Sequence, residues 1–257
     1  MLGPQSLLVV KALSKNFGGH QAVNQVSFDL GSGTLAGLIG PNGAGKTTLF
    51  NCLTGFMRPA SGQILLDRTP IHGRSSSAAF AAGLARTFQI PRPFPEMSVL
   101  ENVMLAPRGQ LGEKIWANWF QPQQVERQEA KVREDSRYWL DFVGLSRLEN
   151  EPARVLSGGQ RKLLELARVM VAKPKLVLLD EPGAGVNPAL LDQIVDKIQI
   201  LNRQGTTFFI IEHNMDLVAH LCNPVMVMAQ GQLLLSGLAN DVLKDPRVVQ
   251  AYLGDAA

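Results

Sequence analysis

The sequence is short of several things, and each shortage removes a class of protein. It has two cysteines, Cys52 and Cys222, with no CxxC partner and no metal-type spacing. That excludes a disulfide framework and a thiolate metal site, and reads both thiols as core filler in a reducing compartment. No apolar run approaches the roughly 18 residues that a bilayer crossing needs. The opening stretch, MLGPQSLLVVKALSK, has no basic residue ahead of its short apolar run, unlike a secretory signal. Dense Lys/Arg runs are missing as well. The net charge of +3 and pI of about 9.0 therefore suit a nucleotide or an anionic lipid surface, and nucleic acid is not expected as a partner. Internal repeats and low-complexity tracts are absent.

What is present reads as an α/β chain. A length of 257 residues favours one domain with a subdomain, and a chain of this size buries roughly 70–75% of its unfolded surface, enough for a full core. SLLVVKALSKNFGGHQAVNQVSFDL alternates apolar and polar residues in short runs, as antiparallel strands do. TLAGLIG leads straight into a glycine-rich turn and the apolar helix KTTLFNCLTGF, and GQILLD is a further strand. From about Phe80 to Arg154 strand runs vanish and Leu, Trp, Glu and Arg fall at helical spacing, predicting a helical insert. Strand–helix alternation then resumes with KLVLLD. Asn187 caps a helix that has Pro188 at its first position and Leu191, Ile194, Ile198 and Leu201 on one face. Gly205 ends that helix before TTFFIIEH, and VMVMAQGQLLLSG is a hairpin around Gln230 and Gly231. The pattern is a parallel core with a small β subdomain and a helical inset.

GPNGAGKTT, residues 40–48, fits G-x-x-x-x-G-K-[ST] between a strand and a helix. Across Gly40, Pro41, Asn42, Gly43, Ala44 and Gly45 the backbone can curl until consecutive N–H groups converge on phosphate oxygens. Lys46 supplies a mobile charge for the β and γ phosphates, the Thr47 hydroxyl can ligate Mg²⁺, and Thr48 adds a phosphate contact. A carboxylate for the metal is also needed. Asp180 ends the apolar strand KLVLLD and fits that role, while Glu181, one residue on, can polarise the attacking water. A second anion site is suggested by VLSGGQRKLLELARVM, residues 155–170. There a Ser-Gly-Gly turn opens a helix whose first turn carries Arg161 and Lys162. Cations oppose the ordinary charge preference at a helix N-terminus, worth about 0.3–1 kcal/mol, so the excess positive field reads as an invitation to an anion.

With LSGGQ at 156–160 ahead of the Asp180–Glu181 strand, the chain resembles the ATP-binding-cassette ATPases over essentially its whole length. The resemblance implies a P-loop NTPase fold: a parallel-sheet RecA-like core, an antiparallel β subdomain and a helical subdomain. It makes 1–257 one ATPase domain, with 1–79 and 155–257 forming core and β subdomain and about 80–154 the helical part. It implies ATP and Mg²⁺ as cofactors and two cassettes paired head to tail. Ser157, Gly158, Gly159 and Gln160 of one chain would then meet the nucleotide held by the phosphate loop of the other. Gln89 in ARTFQ takes the place of the glutamine that touches metal and attacking water. His213 matches the histidine that contacts the γ-phosphate. Phe17 resembles the aromatic that stacks on adenine, with Val23 packed beside it. AGVN, ending at Asn187, lies where many cassettes carry Asp rather than Asn.

Finer similarity, in RTFQ, EPGAGVNP, the EKIWANWF insert and the ending VVQAYLGDAA, points to the LivG-type group of branched-chain amino-acid importer ATPases. A lipopolysaccharide-export cassette, with a similar AGV turn and YLG ending, is the alternative. A cassette serving a soluble assembly such as iron–sulphur scaffold building is a further one. The intact Glu181 and His213 argue against a non-hydrolysing scaffold. The resemblance implies membrane permease subunits, a second cassette (the same chain or a paralogue) and, indirectly, a solute-binding protein as partners, with the chain peripheral on the cytoplasmic face of the inner membrane. In IPRPFPEMSVLENVML, the side chains of Phe94, Met97 and Leu100 are either contacts for a permease helix or core residues of the insert.

Overall fold

The structure, a computed structural model, describes residues 6–87, 92–113 and 119–253. Its chain divides into two compact units. The first comprises residues 1–89, 174–184 and 195–257, and the second residues 90–173 and 185–194.

The first unit holds two sheets. In the smaller, β1 (Ser6–Phe17) and β2 (His20–Gly31) form the expected antiparallel hairpin through Gly18 and Gly19. The second sheet begins with β3 (Leu35–Ile39), and β4 (Ser61–Leu66) and β5 (Thr69–Pro70) return to complete the first in the order β2-β1-β4-β5. The larger sheet adds β6 (Leu84–Arg86), β7 (Leu176–Asp180), β8 (Thr207–Ile211), β9 (Val225–Ala229) and β10 (Gln232–Gly237). Its order is β10-β9-β3-β8-β7-β6, and only β10 runs antiparallel to its neighbour. Every residue of β3, β7 and β8 is buried. Parallel strands covered on both faces read as continuous apolar runs, which is why LAGLI, LVLLD and TFFII carry no alternation. Phe209 anchors the core between Phe50 and Phe28, with ring centroids 5.2 and 5.5 Å away. The hairpin at Gln230 and Gly231 forms as expected, both residues taking the positive φ of a tight two-residue turn.

One expectation fails here. The span from Phe80 was read as free of strands, yet Leu84–Arg86 pairs in parallel with β7. Three residues are too few for periodicity to register. Their signal is Gly83, whose φ of +112° ends α2 (Ser76–Ala82) after α1 (Lys46–Leu53).

The second unit is helical, as predicted for most of its length. α3 (Val99–Met104), α4 (Pro122–Phe142) and α5 (Gly158–Val171) pack on one another and bury Leu100, Val103, Val132, Leu140 and Leu163. The helix following LSGGQ thus belongs with this unit, whereas the sequence boundary at 155 grouped it with the core. α6 (Pro188–Arg203) begins in the second unit and is capped as expected, the Leu190 N–H donating to Asn187 Oδ1 at 3.0 Å. Ile194, Ile198 and Leu201 are buried along it and Leu191 is half-buried. Among the described residues no helix is long and apolar enough to cross a membrane.

Candidate functional site

The phosphate loop sits between a buried strand and a helix, and neighbouring backbone dictates its glycines. A Cβ on Gly40 would collide with the Met228 carbonyl oxygen, and one on Gly45, at φ +97°, with that of Ala22. The loop therefore curls only because both side chains are missing. Behind it the Gly231 N–H donates to the Ala44 carbonyl at 3.2 Å, tying the loop to the β9–β10 turn. Lys46 is buried, and its Nζ donates to the carbonyls of Gly40 (2.7 Å) and Pro41 (2.8 Å). Burial holds its ammonium below the usual lysine range, while the carboxylates of Glu181 and Asp180 pull the other way. The charge is thus parked inside the loop by carbonyls that an anion's oxygens can replace. Thr47 is exposed and Thr48 half-buried.

Above the loop lies a pocket of about 370 Å³ lined by residues 42–48 together with Phe17, His20, Ala22, Glu181 and His213. It brings together the phosphate loop, the aromatic, the expected base and the expected histidine. Phe17 is 47% exposed, as a stacking surface must be, with Lys15 Nζ 5.3 Å from its ring centroid. Val23 must be reassigned. It is fully buried in the hydrophobic core, and Ala22 faces the pocket instead. Successive strand residues point to opposite faces, so the two cannot both line it.

The acidic side is held by partners the sequence reading missed. Asp180 Oδ2 accepts from Arg86 at 2.6 Å, with both side chains under 10% exposed, and the same guanidinium donates to Asn51 Oδ1 at 2.5 Å. One arginine therefore joins β6, β7 and α1. Glu181 follows in the left-handed region (φ +50°). Its Oε1 lies 2.7 Å from His213 Nε2, the distance at which an ionised carboxylate accepts from an Nε2–H. Glu212, 4% exposed, accepts from the Gly183 N–H at 2.7 Å and the His213 N–H at 3.1 Å. The signals were an arginine in the ARTFQ segment and an acid directly before the histidine, neither of which forms a pattern by itself. Gln89, the expected metal and water contact, lies outside the described residues.

Among the described residues no cluster of three or more His, Cys, Asp or Glu side chains forms an all-protein metal cage. The donor set is an exposed Thr47 hydroxyl and the Asp180 carboxylate. That suits Mg²⁺, which keeps most of its waters and is held by one or two protein oxygens plus substrate phosphates.

In the second unit Ser157, Gly158, Gly159 and Gln160 form a capping box. The Gln160 N–H donates to Ser157 Oγ at 3.3 Å, and Ser157 N–H to Gln160 Oε1 at 2.9 Å. Arg161 does not serve as a spare cation for an anion. Its Nε donates to the Leu156 carbonyl at 3.0 Å and its terminal nitrogen to that of Arg154 at 3.4 Å, so it caps the turn before the helix. Its place in the first turn is therefore explained by these two carbonyls and not by an anion. A Cβ at Gly158 would meet nothing within 4 Å, whereas one at Gly159 would strike the Leu190 side chain. The open glycine is the one with room for a ligand from outside the chain. Of the docking residues, Leu100 is core at 4% exposure and Met97 is half-buried. Phe94 is 51% exposed, on a segment pinned by buried Asn102, whose side chain bonds the backbone of residues 94, 97 and 98.

Comparison with known proteins agrees with this geometry. The profile of the ABC transporter family matches residues 23–184. The chain is 39% identical over 253 residues to the high-affinity branched-chain amino acid transport ATP-binding protein LivG of Salmonella typhimurium, covering 98% of this chain and 99% of the relative. Among solved structures it is similar to a nucleotide-free ATP-binding cassette from an ABC transporter, with a TM-score of 0.83, 35% identity and coverage of 96% and 98%. It is also similar to the ADP conformation of such a cassette, with a TM-score of 0.82, 34% identity and coverage of 97% and 99%. A curled phosphate loop facing a Glu–His pair, on a sheet shared with solved cassettes, is thus accounted for by descent: the chain belongs to the ABC transporter family.

Proposed function

We propose that this chain is the ATP-hydrolysing subunit of an ABC transporter, driving uptake of branched-chain amino acids or related solutes. The observation that carries the reading is the Glu181–His213 contact of 2.7 Å on a pocket whose loop holds Lys46. An acid and a proton-bearing imidazole there can serve the two ends of a water attack on a γ-phosphate. Glu181 takes a proton from the water, and His213 Nε2–H turns toward the phosphoryl oxygens. Lys46 exchanges its loop carbonyls for the β and γ phosphates, the loop N–H groups cradle them, and Phe17 stacks on adenine. Mg²⁺, when bound, supplies positive charge against the phosphate oxygens. Thr47 and Asp180 would hold it, with Gln89 as the third expected ligand.

The capping box with its open Gly158 supports pairing of two cassettes, each presenting residues 157–160 to its partner's nucleotide. ATP would close the pair and product release open it, and the difference in nucleotide affinity between those states would drive the permeases. The transport role of the named relatives supports the solute class, a seat on permease subunits at the cytoplasmic face of the inner membrane, and an indirect link to a solute-binding protein.

The test is Glu181→Gln. Turnover should fall by about 10²–10⁴ with ATP binding retained and ATP-bound dimers accumulating on size-exclusion chromatography. Hydrolysis at the parental rate would sink the assignment. Recovering the tagged variant from gently solubilised membranes should bring permease subunits with it; soluble scaffold proteins as the sole companions would overturn the transport reading.

A further inference from the structure

Glu212 has no place in the chemistry above, yet it is the most deeply buried carboxylate touching that site. It follows β8, directly before His213, and is 4% exposed. A buried carboxylate is costly unless its oxygens are bonded, and the two bonds it accepts are not to one segment. Oε1 takes the Gly183 N–H at 2.7 Å and Oε2 the His213 N–H at 3.1 Å. Gly183 lies two residues after Glu181; the other donor belongs to the histidine itself. One carboxylate therefore binds, with one oxygen each, the loop that carries the expected base and the loop that carries the expected imidazole. Those two side chains meet at 2.7 Å, and Glu181 holds its own position in a left-handed backbone conformation, φ +50°. Such a conformation is unfavourable for a non-glycine residue and persists when its surroundings over-determine it.

We propose that Glu212 is a positioning residue for hydrolysis, clamping the backbone of the 181–183 loop to that of His213 so that base and imidazole are presented from one fixed backbone frame. It acts through Glu181 and His213 and touches no reacting atom. Glutamine is the discriminating substitution. It has nearly the same shape but one acceptor and one donor, so its NH₂ must face one of the two N–H groups and release that loop. Aspartate keeps the charge on a shorter stem and cannot hold both loops.

The proposal rests on the ATPase reading, and the experiment separates the two. In full-length protein, kcat and KM for ATP are measured with radiolabelled substrate for parent, Glu181→Gln, His213→Ala, Glu212→Gln and Glu212→Asp. A fluorescent ATP analogue gives nucleotide affinity, and calorimetry gives Tm. Glu212→Gln should lower kcat by about 10–100-fold, a loss comparable to misplacing a general base, with KM and analogue affinity within about twofold. In the His213→Ala background the same substitution should cost no more than about two- to threefold, because the geometry it maintains is already gone. A parental kcat for Glu212→Gln, or an equal loss in both backgrounds, overturns the proposal, the second result being that of a residue serving only the fold. Should the glutamine variant not fold, the aspartate variant decides by the same two comparisons. If the parent does not hydrolyse ATP, or Glu181→Gln does so at the parental rate, the ATPase reading itself falls and takes the proposal with it.

Discussion

Replacing Arg86 by methionine would leave Asp180 buried without its cation. The two side chains are 7% and 8% exposed and 2.6 Å apart, so neither is relieved by water. Removing one partner of a buried pair costs about 3–5 kcal/mol, because the remaining charge stays desolvated. The methionine also forfeits the bond to Asn51 Oδ1, and with it the tie between β6 and α1. For a chain of this size each kcal/mol lowers Tm by roughly 2–4 °C, so Arg86→Met should melt about 6–20 °C below the parent. Calorimetry is the right assay, since tryptophans 116, 119 and 139 all fall within the range of the second unit and fluorescence would follow that unit. The cycle is completed by Asp180→Asn and the double variant. If the loss comes from the stranded charge, the double variant should recover most of it, with a coupling energy above about 2 kcal/mol. Additive single losses, to within about 0.5 kcal/mol, would refute the buried-pair account.

Other expectations can be checked separately. Burial pushes the Cys52 thiol up to about 11 and the Cys222 thiol up to about 12, the Glu212 carboxylate adding to the second. Neither should react with a disulfide reagent at pH 8 until the chain is unfolded. Because folded thiols ionise later than unfolded ones, their contribution to stability is intact below the ordinary value of 9.0 and is lost as pH rises toward 11 and 12. Urea midpoints above pH 9 should therefore fall more steeply for the parent than for a Cys52→Ala/Cys222→Ala variant; equal slopes would contradict this. Lys46→Ala should abolish tight ATP binding by titration, and unchanged affinity would refute the loop's role. Gly158→Ala adds a Cβ that meets nothing within 4 Å, so folding should be unaffected while turnover falls. Mixing it equally with Lys46→Ala should restore about a quarter of the parental rate if sites in a symmetric head-to-tail pair act independently. No recovery at any ratio would tell against a shared site.

What the sequence made legible was whatever is contiguous. The phosphate loop could be read because its glycines, lysine and threonines adjoin one another between a strand and a helix, and Asp180 and Glu181 because they end an apolar run. The partners that hold these groups are not contiguous. Arg86 reaches a carboxylate 94 positions away, and Glu212 an N–H 29 positions away; no periodicity records such a pairing. Two local inferences also failed. The resemblance placed Val23 beside the Phe17 aromatic, but the strand's alternation turns it into the core. Arg161 was counted toward an excess positive field at the helix start, yet its side chain is long enough to bond the carbonyls of the preceding turn.

Sheet topology explains how remote residues come to share a site. Strands β3, β8, β7 and β6 are neighbours running in one direction, so their C-terminal ends reach one edge of the sheet, where ligands of open α/β sheets bind. Leu38 and Asp180 both pair with Ile211, and Arg86 with Leu178. That register brings Gly40, Glu212 and Glu181, from three separate stretches of chain, to one end of the sheet, and Arg86, level with Leu178, reaches up to Asp180 with its side chain. A shift of one residue in β7 would turn Asp180 to the opposite face, away from Arg86. The buried ion pair and the two-oxygen clamp of Glu212 are thus the side-chain contacts best placed to exclude that slip, and they lie where an error in register would cost the chemistry most.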